Sequence, residues 1–178
     1  MNVNADLIEM IDHFQIRKLL AQYSRGCDRA DLPLMASIYA ADSWDDHGIV
    51  QATGAEYSSI MCNRVKTETE SLSHLLGQSL ITIDGDQAGA ETYFIAIARD
   101  TAADGTPMCN QLGGRFIDQV IRENGQWKVK HRKVLRDWSV AIPLHHDWVL
   151  SNTLTRGERS NDDHSYAVLG TIHGGSGD

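Results

Sequence analysis

The spacing of apolar residues changes its period once along this chain, close to residue 70. Before that point, apolar side chains recur at steps of three to five residues, which is typical of one face of an amphipathic helix. After it, apolar and β-branched runs are separated by short turn signals, which indicates paired strands. Because helices come first and an antiparallel meander follows, the sequence predicts an α+β fold with the helices packed on one face of a curved sheet.

Three helices are predicted in the first part of the chain. Asp31 is a suitable N-cap for the second helix, and Thr53 with Glu56 matches a capping box that would begin the third. The predicted helices are Leu7–Asp28, Leu32–Tyr39 and a segment from residue 54 to about 65. The apolar positions of the first helix are Leu7, Ile8, Ile11, Phe14, Leu19, Leu20 and Tyr23.

Five strands are predicted, four of them after the third helix. Asp84-Gly85-Asp86, Asp104-Gly105 and Asn124-Gly125 are hairpin or turn signals, and Asn-Gly is the strongest of these. Each turn lies between two runs that favour extended structure, so consecutive runs should pair with each other. The predicted strands are Trp44–Gln51, Leu75–Ile83, Ala88–Arg99, Met108–Arg122 and Gln126–Trp138.

Length and charge exclude several classes of partner. The 178 residues suit one compact domain. The formal net charge of −8 disfavours nucleic acid, whose binding depends on lysine and arginine. No apolar run approaches the roughly 18 residues of a membrane span, and the first residues lack the basic region of a signal peptide. We therefore expect neither a nucleic-acid nor a membrane partner.

The three cysteines indicate the compartment. Cys27, Cys62 and Cys109 lie far apart, form no CxxC pair and have no histidine at zinc-finger spacing. Reduced thiols are the simplest interpretation of such an odd, scattered set. Because disulfides persist mainly in oxidising compartments, this usage predicts a cytoplasmic protein.

Three polar residues could contribute to a site, although each has an ordinary structural explanation. Asp28 ends the first helix and fits a capping or solvated group. His74 lies beside leucines and fits a hydrogen-bonded core residue. Strand alternation puts Val129 and Arg132 on opposite faces, so Arg132 is a surface charge unless a bulge intervenes. Only convergence of these residues in one place would favour function.

Four stretches of sequence together resemble a known family, the SnoaL-like family of the NTF2-like superfamily. The likeness covers about residues 5–140 and is to the branch related to scytalone dehydratase, bile-acid 7α-dehydratase and hexachlorocyclohexane dehydrochlorinase. It implies a cone-shaped NTF2-like domain. The stretches are Ile16-x2-Leu19-Leu20-x2-Tyr23-x4-Asp28-x2-Asp31, the Thr67-to-Gly77 segment with His74, Gly113-Gly114-Arg115-Phe116-x-Asp118, and Gly125-x-Trp127-Lys128-Val129-x2-Arg132 with the later Trp138.

The resemblance implies catalytic roles for four residues. The catalytic Asp–His pair of the dehydrochlorinase falls on Asp28 and His74, and its active-site arginine falls on Arg132. Where that enzyme has a lysine, this chain has Tyr23. A phenol can donate to an oxygen but offers no positive charge to a departing chloride. The resemblance therefore favours loss of a hydroxyl or a proton shift over halide removal.

The same four residue types suit proton transfer without a cofactor or a metal. A histidine can take a proton near neutral pH, and a carboxylate on its second nitrogen fixes the tautomer and stabilises the imidazolium. An arginine or a tyrosine can stabilise the oxygen on which charge develops. Tyr39 and Trp44 are candidates for the substrate-binding walls of the pocket, although such aromatics are equally often core residues.

Two runs contain metal-ligating residue types, Asp45-Asp46-His47 and His145-His146-Asp147. Adjacent residues of a strand point to opposite faces, so neither run forms a chelating face by itself. We therefore predict no metal site. No GxGxxG, P-loop or GxSxG motif is present in the sequence, so nucleotide binding and acyl transfer lack a motif.

Three functions are consistent with the sequence. The first is a cofactor-independent lyase, dehydratase-like, or an isomerase that removes a proton from a small hydrophobic cyclic substrate such as a polyketide, steroid or aromatic-pathway intermediate. The second is a non-catalytic small-molecule-binding protein that uses the same pocket. The third is an assembly subunit resembling the small subunit of ring-hydroxylating dioxygenases. The Asp28, His74 and Arg132 set favours the first.

Quaternary structure and the C-terminal extension complete the expectations. The uncovered face of the sheet is expected to carry apolar groups of the Phe94, Phe116 or Trp127 type, so we predict a homo-oligomer, trimer or dimer. Residues 141–178 form an extension after the domain at residues 5–140. Its apolar part, Ala141–Leu150, is predicted to cover the pocket mouth or a neighbouring subunit and to bury Trp148, ahead of a polar end.

Overall fold

Three helices precede a long antiparallel meander in the computed structural model, which describes residues 3–144 and 154–169. The order of elements confirms the predicted α+β fold. The helices are α1 (Val3–Arg29), α2 (Leu32–Ser37), α3 (Gly54–Glu68) and a short α4 (His164–Leu169). The strands are β1 (Tyr39–Asp46), β2 (Gln51–Ala52), β3 (Ser71–Asp84), β4 (Gln87–Thr101), β5 (Pro107–Glu123) and β6 (Gln126–Pro143).

All six strands form one sheet in the order β2-β1-β6-β5-β4-β3. Neighbouring strands are antiparallel except β1 and β6, which are parallel. The predicted strand Trp44–Gln51 is in fact two strands, because Gly48 takes a positive φ of 77° and turns the chain back from β1 to β2. Helices α1, α2 and α3 pack on one face of the sheet, and the core lies between them.

Local sequence signals set the helix starts. The Asp31 side chain accepts a hydrogen bond from the Leu34 amide at 3.0 Å and caps α2. The Thr53 side chain accepts from the Glu56 amide while the Glu56 carboxylate accepts from the Thr53 amide, which confirms the predicted capping box of α3. None of the helices within the described ranges is both long and apolar enough to cross a bilayer.

The first half of α1 does not bury the apolar face that its sequence predicts. Leu7, Ile8, Ile11 and Phe14 are 50 to 68% exposed. Burial begins at Asp12. Its carboxylate accepts hydrogen bonds from the Trp127 indole at 2.9 Å and from the Arg122 guanidinium on β5 at 2.8 Å. The predicted helix is present, but helical periodicity does not reveal how far a helix extends beyond the sheet.

The assignment of apolar residues to the two faces of the sheet also needs correction. Phe94, Phe116 and Trp127 are at most 4% exposed and belong to the core, whereas they were expected on the uncovered face. Alternation along the strands turns them toward the helices. The uncovered face instead carries Leu75, Tyr93, Ile95 and Trp138, each at least 38% exposed.

Two bulges bend β6 where it pairs with β5. Gly113 pairs with Trp138 and Gly114 with Arg136, so β6 has one extra residue between these pairs. A Cβ atom at Gly114 would lie 2.1 Å from the Leu135 carbonyl oxygen, so only glycine permits this close approach. The second bulge lies at Lys130, between the pairs that β6 makes with Gln119 and Val120. It reverses the alternation of the residues that follow.

The described part of the C-terminal extension packs on the ends of α1 and α3. Arg159 donates hydrogen bonds to the carbonyl oxygens of Val65 at 2.8 Å and Thr69 at 2.6 Å. The Tyr166 hydroxyl donates to the N-cap carboxylate of Asp31 at 2.8 Å. Residues 145–153 lie outside the described residues, and with them Trp148 and most of the predicted lid.

Arg159 provides a test of this attachment. R159A is expected to lower the free energy of unfolding by about 1–3 kcal/mol, because it removes charge-assisted hydrogen bonds to the last carbonyls of α3. Urea denaturation measures the change. R156A is the matched control, since Arg156 is exposed and lies three residues earlier. Equal stability of the two variants would show that the extension contributes nothing to the fold.

Candidate active site

A cavity of about 530 Å³ lies between the helices and the covered face of the sheet. Its walls come from α1, α3 and strands β3 to β6, and most of them are apolar. The polar side chains that line it among the aromatic rings include Tyr23, His47, Tyr57 and His74. A mainly apolar cavity with a few convergent polar groups is typical of a small-molecule site.

Asp28 and His74 form a hydrogen-bonded pair in this region. One carboxylate oxygen of Asp28 lies 2.6 Å from His74 Nδ1, and the other accepts from the His74 amide at 3.0 Å. The side chains are 15% and 8% exposed. Because a carboxylate only accepts, Nδ1 carries the hydrogen, which leaves the Nε2 lone pair for the cavity. The predicted contact is present, and the cavity wall contains His74 but not Asp28.

Helix and strand geometry brings this pair together. Asp28 lies in the last turn of α1, just before Ala30 takes a positive φ of 51° and ends the helix. His74 lies on β3 between Leu72 and Leu76, and alternation turns all three toward the covered face of the sheet. Phe94 and Phe116 stack on each other at 4.2 Å between ring centroids and pack against His74. The imidazole is therefore held between its carboxylate and an aromatic wall.

A second histidine pair, which the sequence analysis missed, contributes to the same cavity. Asp45 contacts Nδ1 of His47 through one oxygen and accepts from the Tyr39 hydroxyl at 2.5 Å through the other. The Asp45 side chain is fully buried and His47 is 20% exposed. The prediction for Asp45-Asp46-His47 rested on the opposite orientation of adjacent residues alone. Residues two apart share a face of a strand, and this was the signal that could have found the pair.

The Tyr23 hydroxyl lies between the two sides of the site. It is 3.2 Å from His47 Nε2 and 3.3 Å from the Tyr57 hydroxyl, and its ring packs edge-on against His74. Burial, reinforced by the neighbouring Cys27 and Asp45, raises the pKa of Tyr23 well above its ordinary value. The phenol therefore remains protonated and can donate a hydrogen bond into the cavity.

Arg132 turns inward, as the predicted bulge requires, but it does not line the cavity. Its guanidinium makes two 2.7 Å hydrogen bonds to Asp118, and both side chains are fully buried. The guanidinium carbon lies 4.2 Å from the Tyr23 ring centroid and 4.3 Å from that of Phe116. Although burial alone would lower it, the Asp118 carboxylate holds the pKa of Arg132 well above its ordinary value. Arg132 is a charged support behind the wall.

The two predicted wall residues lie elsewhere. Tyr39 is buried in the core, with its hydroxyl on Asp45, and is absent from the cavity wall. Trp44 is 43% exposed and lines a separate depression with residues of β3 to β6. Neither residue lines the cavity, because β1 pairs with β6 through an irregular register between Tyr39 and Trp44, which the sequence does not mark.

Asp46 and His47, from the first run of metal-ligating residue types, point in different directions. Asp46 accepts from the Gly48 amide at 2.9 Å and pairs with Lys133, so it faces away from His47. Within residues 3–144 and 154–169, no three potential ligands converge on one point. The run His145-His146-Asp147 lies outside the described residues.

Comparison with known proteins places this geometry in context. The model of a family described as SnoaL-like domain matches residues 9–133, which is more than half of the chain. The match covers Asp28, His47, His74 and Arg132. Among curated proteins, no sequence matches the chain.

Several solved structures share the fold. A protein of Novosphingobium aromaticivorans DSM 12444, provisionally named a scytalone dehydratase, is 22% identical, with a TM-score of 0.66 over 82% of this chain and 99% of its own. The hexachlorocyclohexane dehydrochlorinase LinA-type3 of Novosphingobium barchaimii LL02 is 17% identical, with a TM-score of 0.68 over 82% and 98%. A type 2 LinA is 15% identical, with a TM-score of 0.71 over 83% and 99%. These likenesses confirm the predicted NTF2-like α+β fold.

Proposed function

Since the chain belongs to the SnoaL-like domain family, we propose that it is a cofactor-independent lyase, dehydratase-like, or an isomerase. Its substrate is a small hydrophobic cyclic molecule, and His74 removes a proton beside a carbonyl group. The observation that carries this proposal is the Asp28–His74 pair, which leaves the unprotonated Nε2 of His74 as the group offered to an apolar cavity. A base in this position needs an oriented lone pair and a substrate that excludes water.

The first step is transfer of a carbon-bound proton to His74 Nε2. Asp28 accepts the Nδ1 hydrogen throughout and stabilises the imidazolium that forms. The electrons of the broken C–H bond pass toward the carbonyl oxygen, which becomes an enolate. The Tyr57 phenol, which lines the cavity and whose pKa burial raises well above its ordinary value, donates to this oxygen and leaves the Tyr23 phenol for a second oxygen of the substrate. The positive charge of Arg132, which lies 4.2 Å from the Tyr23 ring centroid on the side away from the cavity, stabilises the negative charge that develops on the substrate.

The end of the reaction distinguishes the two activities. In an isomerase the proton returns to a different carbon, whereas in a dehydratase a hydroxyl at the β carbon leaves as water. Neither route requires an electron carrier, because neither changes the overall oxidation level of the substrate. The size of the cavity suits a substrate of two or three fused rings.

The experiment uses 3-hydroxy-1-tetralone, a two-ring β-hydroxy ketone that gives 1-naphthol on loss of water. We expect the wild-type protein to accelerate the appearance of 1-naphthol above the buffer rate, and H74Q to remove most of that acceleration. An inhibition series with 1-tetralone, which lacks the leaving hydroxyl, reports whether the ketone occupies the cavity. Binding of 1-tetralone without turnover of any β-hydroxy ketone tested would favour the non-catalytic binding protein instead.

We also propose that the protein is a homo-oligomer assembled through the uncovered face of the sheet. Leu75, Ile95, Gly113 and Trp138 form one row across β3, β4, β5 and β6. Large apolar side chains aligned in this way are typical of an association surface. L75E combined with W138E should therefore give a monomer of 19.7 kDa by light scattering at micromolar concentration.

The matched control for this prediction is I49E. Ile49 is 88% exposed and lies in the turn between β1 and β2, outside the row of apolar side chains. I49E should keep the oligomeric mass of the wild type. A wild-type protein that is already monomeric at micromolar concentration would contradict the proposal.

A further inference from the structure

Asp45 and His47 form a second histidine–carboxylate pair beside the same cavity, and the reaction proposed above does not use it. We infer that this pair is the acid of the site: through the Tyr23 hydroxyl, His47 supplies the proton that a departing hydroxyl takes up. The inference rests on the proposed function and narrows it, since an acid that protonates a leaving hydroxyl belongs to a dehydratase and has no role in an isomerase. His74 removes the proton from carbon, and His47 delivers one to oxygen.

The Asp45 carboxylate makes His47 suited to pass on a proton. Asp45 is fully buried, and its two oxygens contact His47 Nδ1 and the Tyr39 hydroxyl. A carboxylate that is hydrogen-bonded to one ring nitrogen stabilises an imidazolium whose other nitrogen carries the transferable proton. In His47 that other nitrogen is Nε2, which lies 3.2 Å from the Tyr23 hydroxyl.

His74 differs from His47 in its surroundings. Its carboxylate partner Asp28 is 15% exposed and borders a separate opening on the other side of the pair. The two histidines therefore reach one cavity from different surroundings, His47 beside a fully buried carboxylate and His74 beside a carboxylate that borders a second opening. Different surroundings are what lets two groups of one kind take different roles in acid–base catalysis.

Tyr23 connects the acid to the substrate. With His47 protonated, Nε2 donates to the Tyr23 oxygen across 3.2 Å, so the phenol hydrogen is free to point toward the Tyr57 oxygen or a substrate oxygen. The Tyr57 ring stacks on His47 at 4.3 Å between centroids and 21° between planes, which fixes the imidazole. The groups facing His47 are Asp45 from β1, Tyr23 from α1, Tyr57 from α3 and Phe116 from β5.

The step balances without any other reactant. The C–H bond breaks as its proton passes to His74 Nε2, its electrons form the C=C bond, and the C–O bond breaks. The leaving oxygen takes the Tyr23 hydrogen and departs as water, while Tyr23 takes the Nε2 hydrogen of His47. The products are an unsaturated ketone, water, protonated His74 and neutral His47. Proton exchange with solvent after product release restores both histidines.

The test compares two reactions that need different parts of the site. Dehydration of 3-hydroxy-1-tetralone needs a base and an acid for the leaving hydroxyl, whereas exchange of the C2 hydrogens of 1-tetralone with solvent deuterium needs the base but no acid for a leaving group. The readout is the ratio of the dehydration rate to the exchange rate. For H47Q we expect this ratio to fall on the order of 10²-fold, which is a typical contribution of one proton donor. H74Q should lose both reactions, and H131Q, which changes an exposed histidine, should change neither.

A second variant separates proton delivery from structural support. Y23F keeps the ring packing of Tyr23 but removes the shared hydroxyl, so it should lower the ratio as H47Q does, and it substitutes for H47Q if that variant does not fold.

The outcomes distinguish this inference from the proposed function. A wild-type protein that performs neither reaction would refute the proposed function itself. If the wild type performs both and H47Q and Y23F keep the wild-type ratio, His47 is not the acid and only the inference fails. An equal loss of both reactions in these variants would show a structural role alone and would likewise overturn it.

Discussion

H74Q is expected to lower kcat/KM for a β-hydroxy ketone by about 10²–10⁴-fold, which is the usual contribution of a positioned base. Glutamine has no lone pair on a titratable ring nitrogen, so it cannot take the proton from carbon. D28N should lower kcat/KM on the order of 10²-fold, because an amide at position 28 no longer stabilises an imidazolium. One of its polar atoms can still accept from the His74 amide, as the carboxylate does at 3.0 Å.

Stability and binding measurements separate this loss from unfolding. Both variants should bind 1-tetralone with nearly unchanged affinity, since the apolar wall of Phe94 and Phe116 remains. H131Q serves as the matched histidine substitution at an exposed site. Full activity of H74Q would exclude His74 as the base, whatever its geometry.

R132M should destabilise the fold by about 3–5 kcal/mol, since it leaves the Asp118 carboxylate buried without a partner. For a chain of this length, that corresponds to a fall in Tm of about 6–20 °C. Thermal and urea unfolding measure the change. The loss of stability arises mainly from the unpaired Asp118 carboxylate, because the methionine can fill most of the space between the Tyr23 and Phe116 rings.

The double variant R132M/D118L identifies the cause. Removing both charges leaves no uncompensated ion, so most of the lost stability should return. Activity should not return with it, since the positive charge behind Tyr23 is gone. Wild-type stability in R132M alone would contradict the assignment of Arg132 and Asp118 as a mutually dependent buried pair.

The fold could be predicted from the sequence largely because the signals that begin its helices and turn its strands are local. Asp31 and the Thr53–Glu56 capping box act within one turn of helix, and Asn124-Gly125 closes a hairpin between neighbouring residues. Such signals do not depend on distant parts of the chain. The exposed first half of α1 shows the limit, because burial depends on which elements lie opposite the helix.

The site was only partly predictable because it depends on register between distant strands. The pairing of Asp28 with His74 came from the resemblance, since 46 residues separate them. The bulge at Lys130, which turns Arg132 inward, has no glycine or proline to mark it. His47 was missed because its place in the site depends on its contact with Tyr23, and the two residues are 24 positions apart in the sequence. Periodicity shows which face of a helix or strand is apolar, but it does not show which of these faces pack together.

Solvent deuterium exchange at C2 of 1-tetralone, followed by NMR, tests the central claim most directly, because this ketone can lose a proton but has no hydroxyl to lose. The account predicts exchange well above the buffer rate for the wild-type protein and exchange at the buffer rate for H74Q. Equal exchange in the two proteins, or no exchange in a wild-type protein that demonstrably binds the ketone, would contradict the assignment of His74 as the base.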